Sequence, residues 1–314
     1  MSKALVIIKS MGIGDLCILI SNIHAISKKI GKPVTVLAQK NTRANAILKH
    51  DPNINEVIEL DEKEIKSFFS IVKKIKSKQF DNSYIFSDSI RLYLIAKLSG
   101  IKNNFQYNFF SKKGKNFFKT AKNFTEEILN ISINPQSKIY FDKNDMKEAK
   151  RKFDISDKSK NIICGISASG QTKRWDINNY IKLFENLNSK FECKFFLAGG
   201  LDDKNLIDKV KSSSIGNKCI SFSAMKIDET IPVISACQYY IGNDTGWGHI
   251  SSGLGLKSLF LFMDSPPNAY GVYSKNISII VPNGETIESC NHNTRGKDKI
   301  SFDKVFRQSL KLIS

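Results

Sequence analysis

Short apolar runs that end in glycine or small polar residues and then open onto helix-like stretches recur along the chain, and this alternation limits the fold more than any other feature. In the first half it gives strand Ala4 to Ile8, helix from about Asp15 to Ile30, strand Pro33 to Leu37, helix Arg43 to Lys49, strand Val57 to Leu60, helix Lys63 to Lys76, strand Ser83 to Phe86 and helix Ile90 to Leu98. The second half repeats it from strand Asn161 to Ile166 onward: helix Ile177 to Ser189, strand Lys194 to Leu197, helices Lys204 to Ser212 and Thr230 to Ala236, strand Tyr239 to Ile241, a helix opening near His249 and strand Ser258 to Phe262. Strands that alternate with helices build parallel sheets covered on both faces. The expectation is α/β, with two Rossmann-like doubly wound domains facing across a cleft.

A length of 314 residues suits two domains of about 150 residues each. The charged, strand-poor stretch from Lys143 to Lys160, with a short helix-like piece from Asp145 to Phe153, reads as the linker, giving domains 1–155 and 156–300. The last segment, 301–314, reads as an amphipathic helix packing back across the first domain. With no apolar run near the roughly 20 residues a bilayer span needs, and no signal-like N-terminus, a cytoplasmic location is expected. The six cysteines are scattered, four of them in or beside strand-like runs, and read as reduced core residues.

The net charge is +18, and +12 of it lies in residues 1–150. Such a field favours an anionic partner, although lysines that merely solvate helix faces would give the same count. Nucleic acid has no supporting motif. Aromatics and lysines interleave between Phe105 and Lys119. That mixture suits contact with a membrane surface or an anionic acceptor, or aromatics packed beneath a lysine-covered excursion.

Three strand-to-helix turns carry the chemistry. Lys9-Ser10-Met11-Gly12-Ile13-Gly14-Asp15 lies at the carboxyl edge of the first sheet, where ligands bind in open α/β folds. It is no dinucleotide fingerprint, because Cys17 stands where the third glycine belongs and the second strand runs into Gln39-Lys40 instead of an acid. The turn offers a single carboxylate, Asp15, at a helix N-terminus. Ser167-Ala168-Ser169-Gly170-Gln171-Thr172-Lys173-Arg174-Trp175 occupies the matching edge of the second domain, with backbone N–H groups and cations suited to a diphosphate. Its spacing is not that of a P-loop. Asn243-Asp244-Thr245-Gly246-Trp247-Gly248-His249 offers a carboxylate for sugar hydroxyls, hydroxyl and N–H groups for phosphate oxygens, and an imidazole. A lone Asp-Thr-Gly also marks aspartic proteases, but those need two such loops.

Taken in order and spacing, Met11-Gly12-Ile13-Gly14-Asp15, Lys173-Arg174-Trp175, Gly199-Gly200 and the Asn243-to-His249 block resemble glycosyltransferase family 9, the ADP-heptose:lipopolysaccharide heptosyltransferases. The resemblance implies a GT-B fold and an inverting transferase, with heptose from ADP-heptose moved onto a lipopolysaccharide-core or related anionic glycan acceptor. A UDP- or GDP-sugar donor and a non-catalytic glycan- or lipid-binding module are the alternatives. Asp15 would be the general base. Ser169, Lys173, Arg174, Gly199, Gly200, Met225, Asp244, Thr245, Gly246 and His249 would serve the donor, and Gly12, Gly14, Lys112, Lys113 and Lys115 the acceptor. No cofactor is implied, and because no Asp-x-Asp occurs, transfer is expected to be independent of metal. Peripheral contact with the inner face of the membrane fits a glycolipid acceptor. Two departures from the family pattern stand out: the longer Met-Gly-Ile-Gly-Asp turn, and Trp247-Gly248 in place of a commoner small or apolar pair.

Overall fold

The computed structural model describes residues 3–9, 12–107 and 116–314 and divides into two compact units, Met1–Tyr140 and Phe141–Ser314. The first runs β1 (Ala4–Ile8), α1 (Ile13–Ile30), β2 (Val34–Gln39), α2 (Ala44–Ile47), β3 (Ile54–Leu60), α3 (Glu62–Lys66), α4 (Phe68–Lys76), β4 (Asn82–Phe86), α5 (Ile90–Leu98), β5 (Asn103–Gln106) and α6 (Phe117–Leu129). The second runs α7 (Lys143–Lys152), β6 (Lys160–Gly165), α8 (Ile177–Asn188), β7 (Cys193–Leu197), α9 (Lys204–Lys211), β8 (Cys219–Ser221), α10 (Ile227–Ser235), β9 (Tyr239–Asn243), α11 (Gly246–Gly253), β10 (Lys257–Leu261), α12 (Pro267–Tyr270), β11 (Ile277–Ile280) and α13 (Phe302–Ile313).

Both sheets are parallel, with strand orders β3-β2-β1-β4-β5 and β11-β10-β9-β6-β7-β8. β1 is apolar throughout and buried at every position, as a strand covered by helices on both faces must be. In each sheet the strand order reverses at the first strand, between β1 and β4 and between β6 and β9. Loops at the carboxyl ends of strands part at such a switch point and leave room for a ligand. The Asp15 turn follows β1, and the turns holding Lys173 and Asp244 follow β6 and β9.

The helix-like piece expected in the stretch from Lys143 forms and belongs to the second unit: α7 is capped by the Asp142 carboxylate, which accepts from the N–H groups of Asn144 and Asp145, and it packs on α10. The C-terminal helix packs on the second unit's core. On α13, Val305 and Ile313 enter the second unit's core with Ile162, Leu259 and Tyr180, and the Tyr239 hydroxyl donates to the Ile313 carbonyl. Amphipathicity fixes that one face of a helix is buried, not which core buries it.

The helix expected from Lys63 to Lys76 is two, broken at Ser67, whose backbone is extended. An Asp61–Glu64 capping box starts the first of them. The six cysteines are all free and buried, as their sequence surroundings imply. No described helix is long and apolar enough to cross a membrane. At the described ends of the aromatic-lysine stretch, Phe105 stacks on Tyr84 and Tyr107 meets Phe124 edge-on, so these rings are packing groups. Lys112, Lys113 and Lys115 lie outside the described residues.

Candidate active site

In the first unit, Gly12 is the N-cap of α1 and Gly14 and Asp15 are in its first turn, two residues earlier than the helix start read from sequence. Asp15 is half-buried. Its Oδ2 folds back over the cap, where a β-carbon on Gly12 would lie 3.8 Å from it. A carboxylate so placed is favoured by the helix dipole. Its charge is also felt locally, because burial and then Asp15 raise the Cys17 thiol.

The second unit gathers more of the expected residues. Asp244 follows β9 directly, and its carboxylate is held from two sides: Oδ1 lies 3.2 Å from Nε2 of His249, and Oδ2 accepts from the Ser265 hydroxyl at 2.6 Å. Burial would raise this carboxyl, but the His249 hydrogen bond and charge, the Ser265 hydroxyl and the nearby Lys173 ammonium outweigh it and hold it below its ordinary value. His249 is itself fixed, with Nδ1 3.0 Å from the Tyr273 hydroxyl and its ring stacked on that of Tyr273. Lys173 also lowers Asp264, against the burial that raises it and together with the Thr172 hydroxyl and the Arg295 and Asn293 N–H groups. The charge of Lys173 is therefore felt by two carboxylates at one sheet edge, a position from which it can meet a diphosphate.

A carboxyl whose native pKa is depressed stabilises the fold fully above its unfolded value, and that contribution disappears as the pH falls through the native value. Between about pH 6 and about pH 3, below the ordinary carboxylate range, the wild type is therefore expected to lose more stability than Asp244→Asn. Urea melts of both proteins at the two pH values check this, and equal losses would show that the native Asp244 carboxyl is not depressed.

α11 opens at Gly246, with Thr245 as N-cap, whereas the sequence placed its start near His249. Gly246-Trp247-Gly248 is a poor helix former by propensity. Packing overrides it, because a β-carbon on Gly248 would come within 2.5 Å of Phe260 Cζ and 2.8 Å of Tyr240 Cε1. Only glycine lets the helix lie so close to β9 and β10. The early start puts the N–H groups that open a helix beside Asp244, that of Gly248 already donating to the Thr245 carbonyl, while Trp247 packs against Phe222.

The remaining donor candidates divide. Arg174 works as a brace: its Nε and Nη2 donate to the Ala168 carbonyl, and Nη2 lies 3.2 Å from Asp203. Asp203 in turn accepts from the Gly200 N–H at 2.9 Å. The loop after β7 and the loop after β6 are thus bolted together, and Gly199 sits against Asp203 Cβ. Ser169 is exposed at the tip of its loop, and Met225 is half-buried on the loop after β8.

Asn243 opens the third turn in the sequence, which assigns it no role. Wholly buried at the end of β9, it accepts at Oδ1 from the Trp175 N–H (3.1 Å) and the Tyr180 hydroxyl (2.9 Å), and donates from Nδ2 to the carbonyls of Ile166 and Ser167. One amide thereby joins the two loops that part at the switch point. Ser265 and Asp264 were missed in the sequence, although they follow β10 at the same carboxyl edge and the position alone would have nominated them. Leu201, beside Gly200, stands 77% exposed.

A family model described as glycosyltransferase family 9 (heptosyltransferase) matches residues 113–300. Lipopolysaccharide heptosyltransferase 1 of Campylobacter coli is 21% identical over 302 residues, covering 88% of this chain and 87% of the relative. Among solved structures, the ADP-heptose lipopolysaccharide heptosyltransferase II of E. coli superposes with a TM-score of 0.76 at 17% identity over 99% of this chain and 98% of its own. The E. coli heptosyltransferase WaaC with ADP gives 0.75 at 13% identity over 99% and 100%. The two parallel-sheet units are those of the GT-B fold.

Proposed function

The chain belongs to glycosyltransferase family 9, and from that premise we propose that it moves heptose from ADP-heptose, with inversion, onto a lipopolysaccharide-core or related anionic glycan. The observation that carries the donor side is the cluster at the second sheet's switch point, where Asp244, oriented by His249 and Ser265, stands in the field of Lys173. Adenine and heptose follow from similarity to proteins named for ADP-heptose and for bound ADP. Exposed Leu201 offers the apolar contact a nucleobase uses.

In this reading the Asp15 carboxylate takes the proton of the acceptor hydroxyl as that oxygen bonds to the anomeric carbon. The bond from the anomeric carbon to the diphosphate oxygen breaks, and its electron pair leaves on the diphosphate. Lys173 and the first-turn N–H groups of α11 offset the charge that develops there, the arrangement that contributes most when it is fixed in advance. Asp244 holds sugar hydroxyls. Lys173→Ala is expected to weaken ADP binding by at least about tenfold, the scale of one lost charge-assisted contact. Calorimetry reads this directly, and unchanged affinity would remove Lys173 from the donor site.

The test of the whole reading is mass spectrometry of products after incubation with ADP-, UDP- and GDP-sugars and core-oligosaccharide acceptors. Heptose transfer from ADP-heptose supports it. Transfer only from a UDP- or GDP-sugar would overturn the donor assignment, and no transfer from any donor would leave a glycan-binding module instead of a transferase.

A further inference from the structure

We propose that the outer face of α4 and α5 is a docking surface for an anionic lipid bilayer. Six large apolar side chains are exposed among the described residues, and four of them fall on these two helices: Phe69 (80% exposed), Ile90 (63%), Leu94 (41%) and Leu98 (54%). Scattered exposed apolar residues are ordinary, whereas a contiguous group marks a contact. Ile90, Leu94 and Leu98 recur every fourth residue and therefore share one side of α5.

The opposite sides of both helices are accounted for, because Ile71 and Ile75 of α4 and Ile95 and Ala96 of α5 enter one core with Leu5, Ile7 and Ile85 of the sheet. The Ser99 hydroxyl, next after α5, lies 3.2 Å from the Val72 carbonyl and ties the pair together. Seated on one sheet face, the two helices turn their free sides the same way, so Phe69 and the α5 row belong to one surface.

Charge selects the occupant. α4 carries Lys73, Lys74 and Lys76, α5 carries Arg91 and Lys97, and neither helix has a carboxylate. Lys74 is held by Glu64 on α3 and Arg91 by the Ile65 carbonyl, while Lys73, Lys76 and Lys97 are exposed around the apolar row. Asp88, just before α5, and Asp61 and Glu62, at α3, are the nearest exposed acids along the chain. Aliphatic and aromatic groups that enter the acyl boundary, ringed by lysines that meet headgroup phosphates, are what an interfacial helix face needs. Nucleic acid would not reward the aliphatic row. The surface extends the reading above, since a glycolipid acceptor is presented at such a boundary, but its test uses neither donor nor acceptor.

Full-length protein is mixed with vesicles of phosphatidylcholine alone or with added phosphatidylglycerol, and bound protein is measured by flotation. Association with the anionic vesicles is expected to be at least about tenfold stronger and to weaken with salt, as attraction to headgroups within a Debye length does. Leu94→Ser/Leu98→Ser and, separately, Phe69→Ser are expected to lower it at least about tenfold with unchanged melting curves, because exposed apolar groups contribute to insertion and little to the core. Lys73→Glu/Lys76→Glu is expected to remove the preference between vesicles. No binding by the wild type, equal binding to both vesicle types, or apolar variants that bind like the wild type would overturn the proposal. So would sedimentation showing a self-associated protein that the Leu94→Ser/Leu98→Ser change makes monomeric while vesicles stay unbound, since the face would then belong to a second copy.

Discussion

Asp15→Asn is expected to lower turnover at least about a hundredfold, the lower range of general base catalysis, and to leave ADP affinity unchanged. Asparagine keeps the shape of the side chain and its place in the first turn of α1, but has no basicity with which to take a proton from a hydroxyl. The donor groups Lys173, Asp244 and the start of α11 all belong to the second unit, and Asp15 to the first. Calorimetry with ADP and initial rates at saturating donor separate the two quantities. Near-normal turnover would remove Asp15 from the base role, and a parallel loss of ADP affinity would give it a donor contact instead. The change removes a carboxylate from a favourable helix dipole, at a cost of about 0.3–1 kcal/mol, too small to unfold the chain and mimic the effect.

Asn243→Ala is expected to have the largest effect on stability. It strips the Trp175 N–H and the Tyr180 hydroxyl of their buried acceptor and two carbonyls of their donor. Each buried polar group left without a partner costs about 1–3 kcal/mol. Tyr180 has a fallback in the Gly165 carbonyl at 3.2 Å, so the total is put at about 3 kcal/mol. For a unit of this size that lowers the melting temperature by about ten degrees. Asn243→Asp keeps the acceptor but sets a charge against the Ile166 and Ser167 carbonyls, and should fare no better. ADP affinity should fall with stability, since the loops bearing Lys173 and Asp244 lose their common tie. A shift of under about two degrees, less than one lost hydrogen bond implies, would show that the amide is dispensable.

Much of this molecule was legible in the order of its residues, for identifiable reasons. Apolar runs of strand length alternating with amphipathic stretches permit only parallel sheets, and α5 was placed at its observed ends, Ile90 and Leu98. The carboxyl edge of a parallel sheet is where glycine and polar residues must gather, so the turns after β1, β6 and β9 are legible from neighbours along the chain. What a pattern cannot state is the partner. The amphipathic row of α13 fits either core, and only the pocket formed by Ile162, Leu259 and their neighbours decided for the second unit. Arg174 carries the right charge for a diphosphate, but charge alone does not foretell that it also braces the loop through Ala168 and Asp203.

The sequence by itself determined two doubly wound halves, their glycine turns and the carboxylates and lysine set on them, because periodicity and local turn chemistry are properties of neighbours along the chain. Tertiary structure alone decided that Gly246-Trp247-Gly248 is helix, that His249 and Ser265 grip Asp244, and that Asn243 joins the two loops of the switch point. Those outcomes depend on which strand lies beside which, and on space measured in tenths of an ångström between residues far apart in sequence.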